Sequence, residues 1–123
     1  MAVNKQTVVF DFDGVIHSYK SGWQGIDCIP DEPVEGIRDE LKRIHDAGYE
    51  VAVVSTRCKV EEGMWAINDY LNKHDMLQFV DKICKEKPPA IVYIDDRAIR
   101  FDGNPKGLLE QIQSFKPWYQ EEQ

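Results

Sequence analysis

Basic charge is scarce in this chain. Its 123 residues hold 15 Lys and Arg against 22 Asp and Glu, a formal net charge of −7. A broad nucleic-acid-binding face needs clustered cations, so it is disfavoured, and nucleic acid is expected only as the carrier of a terminal phosphate. Cysteine is scarce too: Cys28, Cys58 and Cys84 are far apart and form no Cys-x-x-Cys pair. That argues against a structural zinc site and a disulfide framework, and reads as ordinary reduced thiols. No run of 18 apolar residues occurs, so no transmembrane helix or membrane partner is expected. The start, Met1 to Thr7, lacks the basic and apolar regions of a signal peptide, and the expected compartment is the cytoplasm. Low-complexity segments and internal repeats are missing as well. The acidic ending Gln120-Glu121-Glu122-Gln123 reads as a solvated terminus. With 42% apolar residues, the chain suits one globular domain over 1–123.

What the chain does have is Val8-Val9-Phe10-Asp11-Phe12-Asp13-Gly14-Val15. Apolar residues run into two carboxylates spaced two apart, then a glycine. Alternate strand residues share a face, so Asp11 and Asp13 are expected on one side of a strand tip. Two acids there repel each other unless a cation sits between them.

The rest alternates strand and helix. Residues 7–12 read as a buried strand, and 15–32 as a loop or short hairpin, a flap beside the acids. A helix is expected from Pro33, with Val34, Ile37, Leu41 and Ile44 as its stripe and Gly48 as its stop. Tyr49–Val54 is the second strand. Residues 60–73 form a second helix on Met64, Ile67 and Leu71, with Trp65 and Tyr70 as packing aromatics. Phe79–Cys84 and Ala90–Ile94 read as further strands, and 105–115 as a last helix. The pattern predicts an α/β domain with a mainly parallel sheet. Ligands bind beyond the carboxyl ends of such strands. Those ends carry Asp11 and Asp13, Ser55 and Thr56, and Asp95 and Asp96.

Carboxylates and hydroxyls are hard oxygen ligands that suit Mg2+ with a substrate phosphate. Beside such a metal Asp11 can attack phosphorus as a nucleophile. Asp13 can protonate the leaving group and then activate water, if its neighbours raise its pKa. Ser55 or Thr56 can donate to a phosphoryl oxygen, and a lysine completes the charge balance. Arg57 is the arginine best placed to bind phosphate. His17, close to the acids, is a further candidate for touching substrate.

At this point the chain resembles the haloacid dehalogenase-like (HAD) superfamily of phosphatases and phosphotransferases. Asp11-Phe12-Asp13-Gly14-Val15 matches its first motif, Val53-Val54-Ser55-Thr56-Arg57 its second, and Tyr93-Ile94-Asp95-Asp96 its fourth, in the right order. The resemblance spans about residues 7 to 115. It implies a Rossmann-like three-layer sandwich. It implies Asp11 as nucleophile and Mg2+ ligand, and Asp13 as acid/base that lends its backbone carbonyl to the metal. Ser55 would bind the phosphoryl group, with Thr56 as its fallback, and Asp95 and Asp96 would complete the metal site. Gly14 lies in the phosphate-facing turn.

The third motif, a lysine upstream of the last acids, is the weak match. Lys87-Pro88 carries its pattern, and Lys85 is the rival. A straight strand would place Lys87 far from Asp95, at ~3.3 Å per residue. No cap domain fits between the motifs, which implies a capless member with an open site. Tyr19, Lys20 and Trp23 in the flap stand in for a cap.

The expectation is a Mg2+-dependent phosphomonoester hydrolase working through an aspartyl-phosphate on Asp11. Its substrate is a small phosphorylated molecule or an exposed phosphate on a macromolecule. A phosphotransferase and a non-catalytic Mg2+- or phosphate-binding scaffold are the alternatives. A phosphoaccepting receiver domain is disfavoured, because there the adjacent acid pair comes first and here it comes last. Neither substrate identity nor oligomeric state is legible in the sequence.

Overall fold

The computed structural model describes residues 5–120; the acidic ending 121–123 and residues 1–4 lie outside that range. The elements are β1 (Thr7–Asp11), α1 (Ile37–Asp46), β2 (Glu50–Val54), α2 (Glu61–Lys73), β3 (Lys82–Cys84), β4 (Val92–Ile94) and α3 (Leu108–Ser114). Short 3-10 turns occupy Thr56–Lys59, Leu77–Phe79 and Trp118–Gln120. The strands form one parallel sheet in the order β3-β2-β1-β4. Phe10 lies opposite Val53 on one side and Ile94 on the other, so the tips of β1, β2 and β4 end level. The described residues thus form an α/β domain with a four-stranded parallel sheet and three α-helices. No helix among the described residues is long and apolar enough to cross a membrane.

The sheet's two faces are covered differently. Val8, Phe10, Val51 and Val53 share one cluster with Leu41 of α1 and with Ile67 and Leu71 of α2. Both helices therefore lie on the same face, as right-handed β-α-β crossovers in one direction require. The opposite face, Val9, Ala52 and Val54, is packed by Cys84 and Ala90 instead. Residues 85–91, which join β3 to β4, are fewer than a helical crossover needs. Ala90 of that link packs on this face, beside Cys84 of β3. α3 adds no helical layer there: Leu109 and Ile112 remain about 60% exposed, at 60% and 61%. The expected third layer is therefore not formed among the described residues.

Three boundaries differ by three residues or more from the sequence expectation. The helix expected from Pro33 starts at Ile37, after Gly36 at φ 85°. Val34 N–H instead donates to the Ile16 carbonyl at 2.8 Å, and Pro33 bridges His17, so this stretch holds the flap. The strand expected at Phe79–Cys84 shortens to Lys82–Cys84, because Phe79 turns into the core within a 3-10 turn. The helix expected over 105–115 shortens to Leu108–Ser114, since Gly107 at φ 87° turns the chain just before it. Of the two packing aromatics, Tyr70 is buried against Phe12 and His17, whereas Trp65 is 58% exposed.

Candidate active site

Two adjacent strand tips bring three carboxylates together. Asp11 ends β1, and Asp95 and Asp96 follow β4 directly. One oxygen from each lies within 4.8 Å of the others. Asp96 is nearly enclosed, with 2% of its side chain exposed, and its buried Oδ1 has no hydrogen-bond partner among the described residues. Burial pushes the Asp11 pKa well above the ordinary carboxylate range, and a proton shared with Asp96 and the charges of Asp95 and Asp96 add to the shift. Burial also raises Asp95, but the Arg97 N–H at 2.9 Å and the Lys87 ammonium at 3.1 Å outweigh it and hold its carboxyl below the usual value. Three hard carboxylate oxygens so placed could hold a small divalent cation.

Asp13 belongs to a different constellation. β1 ends at Asp11, so the two-residue alternation stops there. The Phe12 carbonyl then accepts bonds from Val15, Ile16 and His17 N–H, and Gly14 turns the chain at φ 88°. Asp13 stands outside the acid trio, though it lines the same cleft, because its carboxylate is paired with Arg57 and His17. Its Oδ2 accepts from Arg57 Nε at 2.9 Å, and its Oδ1 from Arg57 Nη2 at 3.2 Å. His17 Nδ1 lies 2.8 Å from Oδ1, while the Asp31 N–H donates to Nε2 at 3.1 Å. An amide N–H can only donate, so Nε2 is the acceptor and Nδ1 carries the proton that Asp13 receives. Burial raises the Asp13 carboxyl, yet the His17 and Arg57 bonds prevail and leave it below its ordinary value. The neighbours expected to raise it lower it, because its cation is Arg57 rather than a metal.

Arg57 was expected to bind substrate phosphate, and its placement overturns that. The side chain is fully buried. Beyond Asp13, its Nη1 donates to the carbonyls of Gly25 and Ile26 at 2.7 and 2.9 Å, with Cys28 at 3.4 Å. The Trp23 ring covers it at 4.5 Å. Arg57 is a latch between the flap and Asp13, and its full burial keeps it from the substrate. His17 is equally enclosed, so it does not touch substrate either.

A cleft of about 340 Å³ opens over the strand tips. Asp11, Ser55, Thr56 and Asp96 line its floor, with Asp13 at the side. Ser55 Oγ accepts the Arg57 N–H at 3.1 Å, which leaves its hydroxyl proton to donate elsewhere. Gly14 approaches Asp96 so closely that a Cβ there would collide with that carboxylate. Larger surface hollows of about 460 and 500 Å³ lie elsewhere, but neither gathers the strand-end acids.

Lys87 reaches Asp95 at 3.1 Å rather than standing far off. The link is not a straight strand: Tyr93 Oη donates to the Pro88 carbonyl at 2.7 Å, folding 88 back beside β4. Among the described residues Lys85 makes no hydrogen bond or ion pair with the acids. The outer wall was not foreseen at its far end. Tyr119 lines the cleft beside Tyr19, Trp23 and Arg97, and Trp118 Nε1 donates to the Gly14 carbonyl at 2.6 Å. These two aromatics lie more than a hundred positions beyond Gly14 in the sequence, with no local pattern to tie them to it.

Comparison with known proteins places no relative beside these residues: no family model, no curated protein and no solved structure matches the chain.

Proposed function

We propose that the chain is a Mg2+-dependent phosphomonoester hydrolase of the HAD type, working through an aspartyl-phosphate on Asp11. A Rossmann-like core without a cap domain is the fold reading that goes with it. The observation that carries the proposal is the acid trio at the tips of β1 and β4, with the orphaned Asp96 oxygen inside it. Asp11, Asp95 and Asp96 would hold the metal, together with the Asp13 backbone carbonyl. Bound Mg2+ supplies the positive charge that keeps Asp11 ionised and offsets the charge of a phosphate.

The chain's own residues then divide the reaction. An Asp11 oxygen forms a bond to phosphorus as the bond to the leaving oxygen breaks. Ser55 donates its hydroxyl proton to a phosphoryl oxygen, with Thr56 beside it, and Lys87 balances the acids. Asp13, held ionised, takes a proton from the water that attacks the aspartyl-phosphate and frees phosphate and Asp11. The leaving oxygen takes its proton from solvent water, and Asp13 returns to solvent the proton it took, so the cycle closes with Asp13 ionised again.

Phosphate release from a panel of phosphomonoesters tests the reading. Activity should require Mg2+, stop on chelation and vanish in Asp11→Asn with the fold intact. Equal release by Asp11→Asn would overturn the hydrolase reading. A folded, inactive wild type that still binds Mg2+ or phosphate would favour the scaffold alternative.

A further inference from the structure

The cleft's outer wall is aromatic, although its floor is acidic and hydroxylic. Tyr19 and Trp23 come from the flap and Tyr119 from the C-terminal turn. Such rings usually serve packing, but these three face the cleft. Trp23 lays one face on the Arg57 guanidinium and is still 52% exposed, so its ring is positioned while much of its surface stays open. Tyr19 and Tyr119 meet edge to face at 5.4 Å. Arg97 donates to the Tyr119 hydroxyl from Nε and Nη2, at 3.2 and 3.1 Å. Tyr19 holds a left-handed backbone, φ 61°, which a bulky residue adopts only where its surroundings impose it. Its ring packs on His17 and Tyr119, and the Trp118 indole pins the C-terminal turn to Gly14. The wall is thus fixed before any ligand arrives.

Resting on the hydrolase reading above, we propose that this wall is a leaving-group subsite for phosphomonoesters that carry a flat ring. The phosphate would sit over the acid floor and the ring against Trp23 and Tyr119. Both a nucleoside 5′-monophosphate and an aryl phosphate such as phosphotyrosine present that chemistry. A cleft of about 340 Å³ is at the small end for ligand sites and suits one ring with one phosphate. The net charge of −7 opposes a longer polyanion. Stacking on a side-chain ring is worth roughly 5- to 150-fold in affinity.

Matched substrate pairs test it: AMP against ribose 5-phosphate, and phosphotyrosine against phosphoserine. Wild type with Mg2+ should favour the ringed member of at least one pair by about tenfold or more in kcat/KM. The AMP pair assigns a nucleotide and the phosphotyrosine pair an aryl phosphate. Trp23→Ala and Tyr119→Leu should each shrink that ratio, while Trp23→Phe, which keeps a ring, should preserve it. Equal rates within both pairs, or a ratio that survives both ring-removing variants, overturns the subsite. Beryllofluoride, a phosphoryl mimic, separates the two failures. If wild type binds it at Asp11 yet shows no ring preference or no turnover of either pair, only the subsite falls. If it does not bind, the hydrolase reading falls with it.

Discussion

At the scale of the residue, the two opening acids have different partners and opposite electrostatics. Asp11 is pushed up by burial and by its acidic neighbours; Asp13 is held down by His17 and Arg57. The raised Asp11 value sets a pH dependence. A folded state that keeps a proton the unfolded state has lost is favoured at low pH, and that stability drains as pH rises through the raised value. Without metal, Tm should therefore fall from about pH 5 toward pH 8. Mg2+ should restore it most at the alkaline end, because metal displaces that proton. A thermal-shift series with and without Mg2+ checks the sign; a Mg2+ effect that grows toward acid pH would contradict it. Arg57 gives a second prediction. Arg57→Ala leaves Asp13 without its cation and three flap carbonyls without a donor, a loss of about 3–5 kcal/mol by chemical denaturation. Arg57→Lys keeps the charge but not the fork, so it should recover part of that stability with the flap more open to proteolysis.

At the scale of the element, α2 and the 3-10 turn before it pack backbone to backbone. A Cβ on Gly63 would collide with the Arg57 carbonyl. Gly→Ala inside a helix ordinarily stabilises by about 1 kcal/mol. Here Gly63→Ala should destabilise instead, and its effect should overlap with that of Arg57→Ala in a double-mutant cycle. Equilibrium denaturation of the three variants measures both. The C-terminal turn makes a related case. Trp118→Phe removes the donor to the Gly14 carbonyl but keeps a ring, so activity should fall by more than stability does. Parallel kcat/KM and Tm measurements separate the two effects.

At the scale of the whole molecule, the strand tips were legible because apolar runs ending in acids are a local pattern. The parallel sheet and the helices of its covered face followed from Val8–Asp11, Leu41 and Ile67–Leu71 in the same way. What was not legible depends on contacts far apart in sequence. Arg57 reads as a phosphate ligand until the flap carbonyls are seen around it. Asp13 reads as a second acid beside a metal until Arg57 and His17 are seen to be its partners. The three-layer sandwich implies a helix on the second sheet face, but α3 leaves its apolar residues outside. Tyr119 and Trp118 reach the site only through the path of the whole chain.

The account's central claim is that Asp11 is the group that becomes phosphorylated. Fluorine NMR of the protein with Mg2+ and beryllofluoride tests it without any choice of substrate. Wild type should give a protein-bound beryllofluoride resonance that disappears on chelation and is missing in folded Asp11→Asn. The same bound resonance in Asp11→Asn, or none in folded wild type with Mg2+, would contradict the claim.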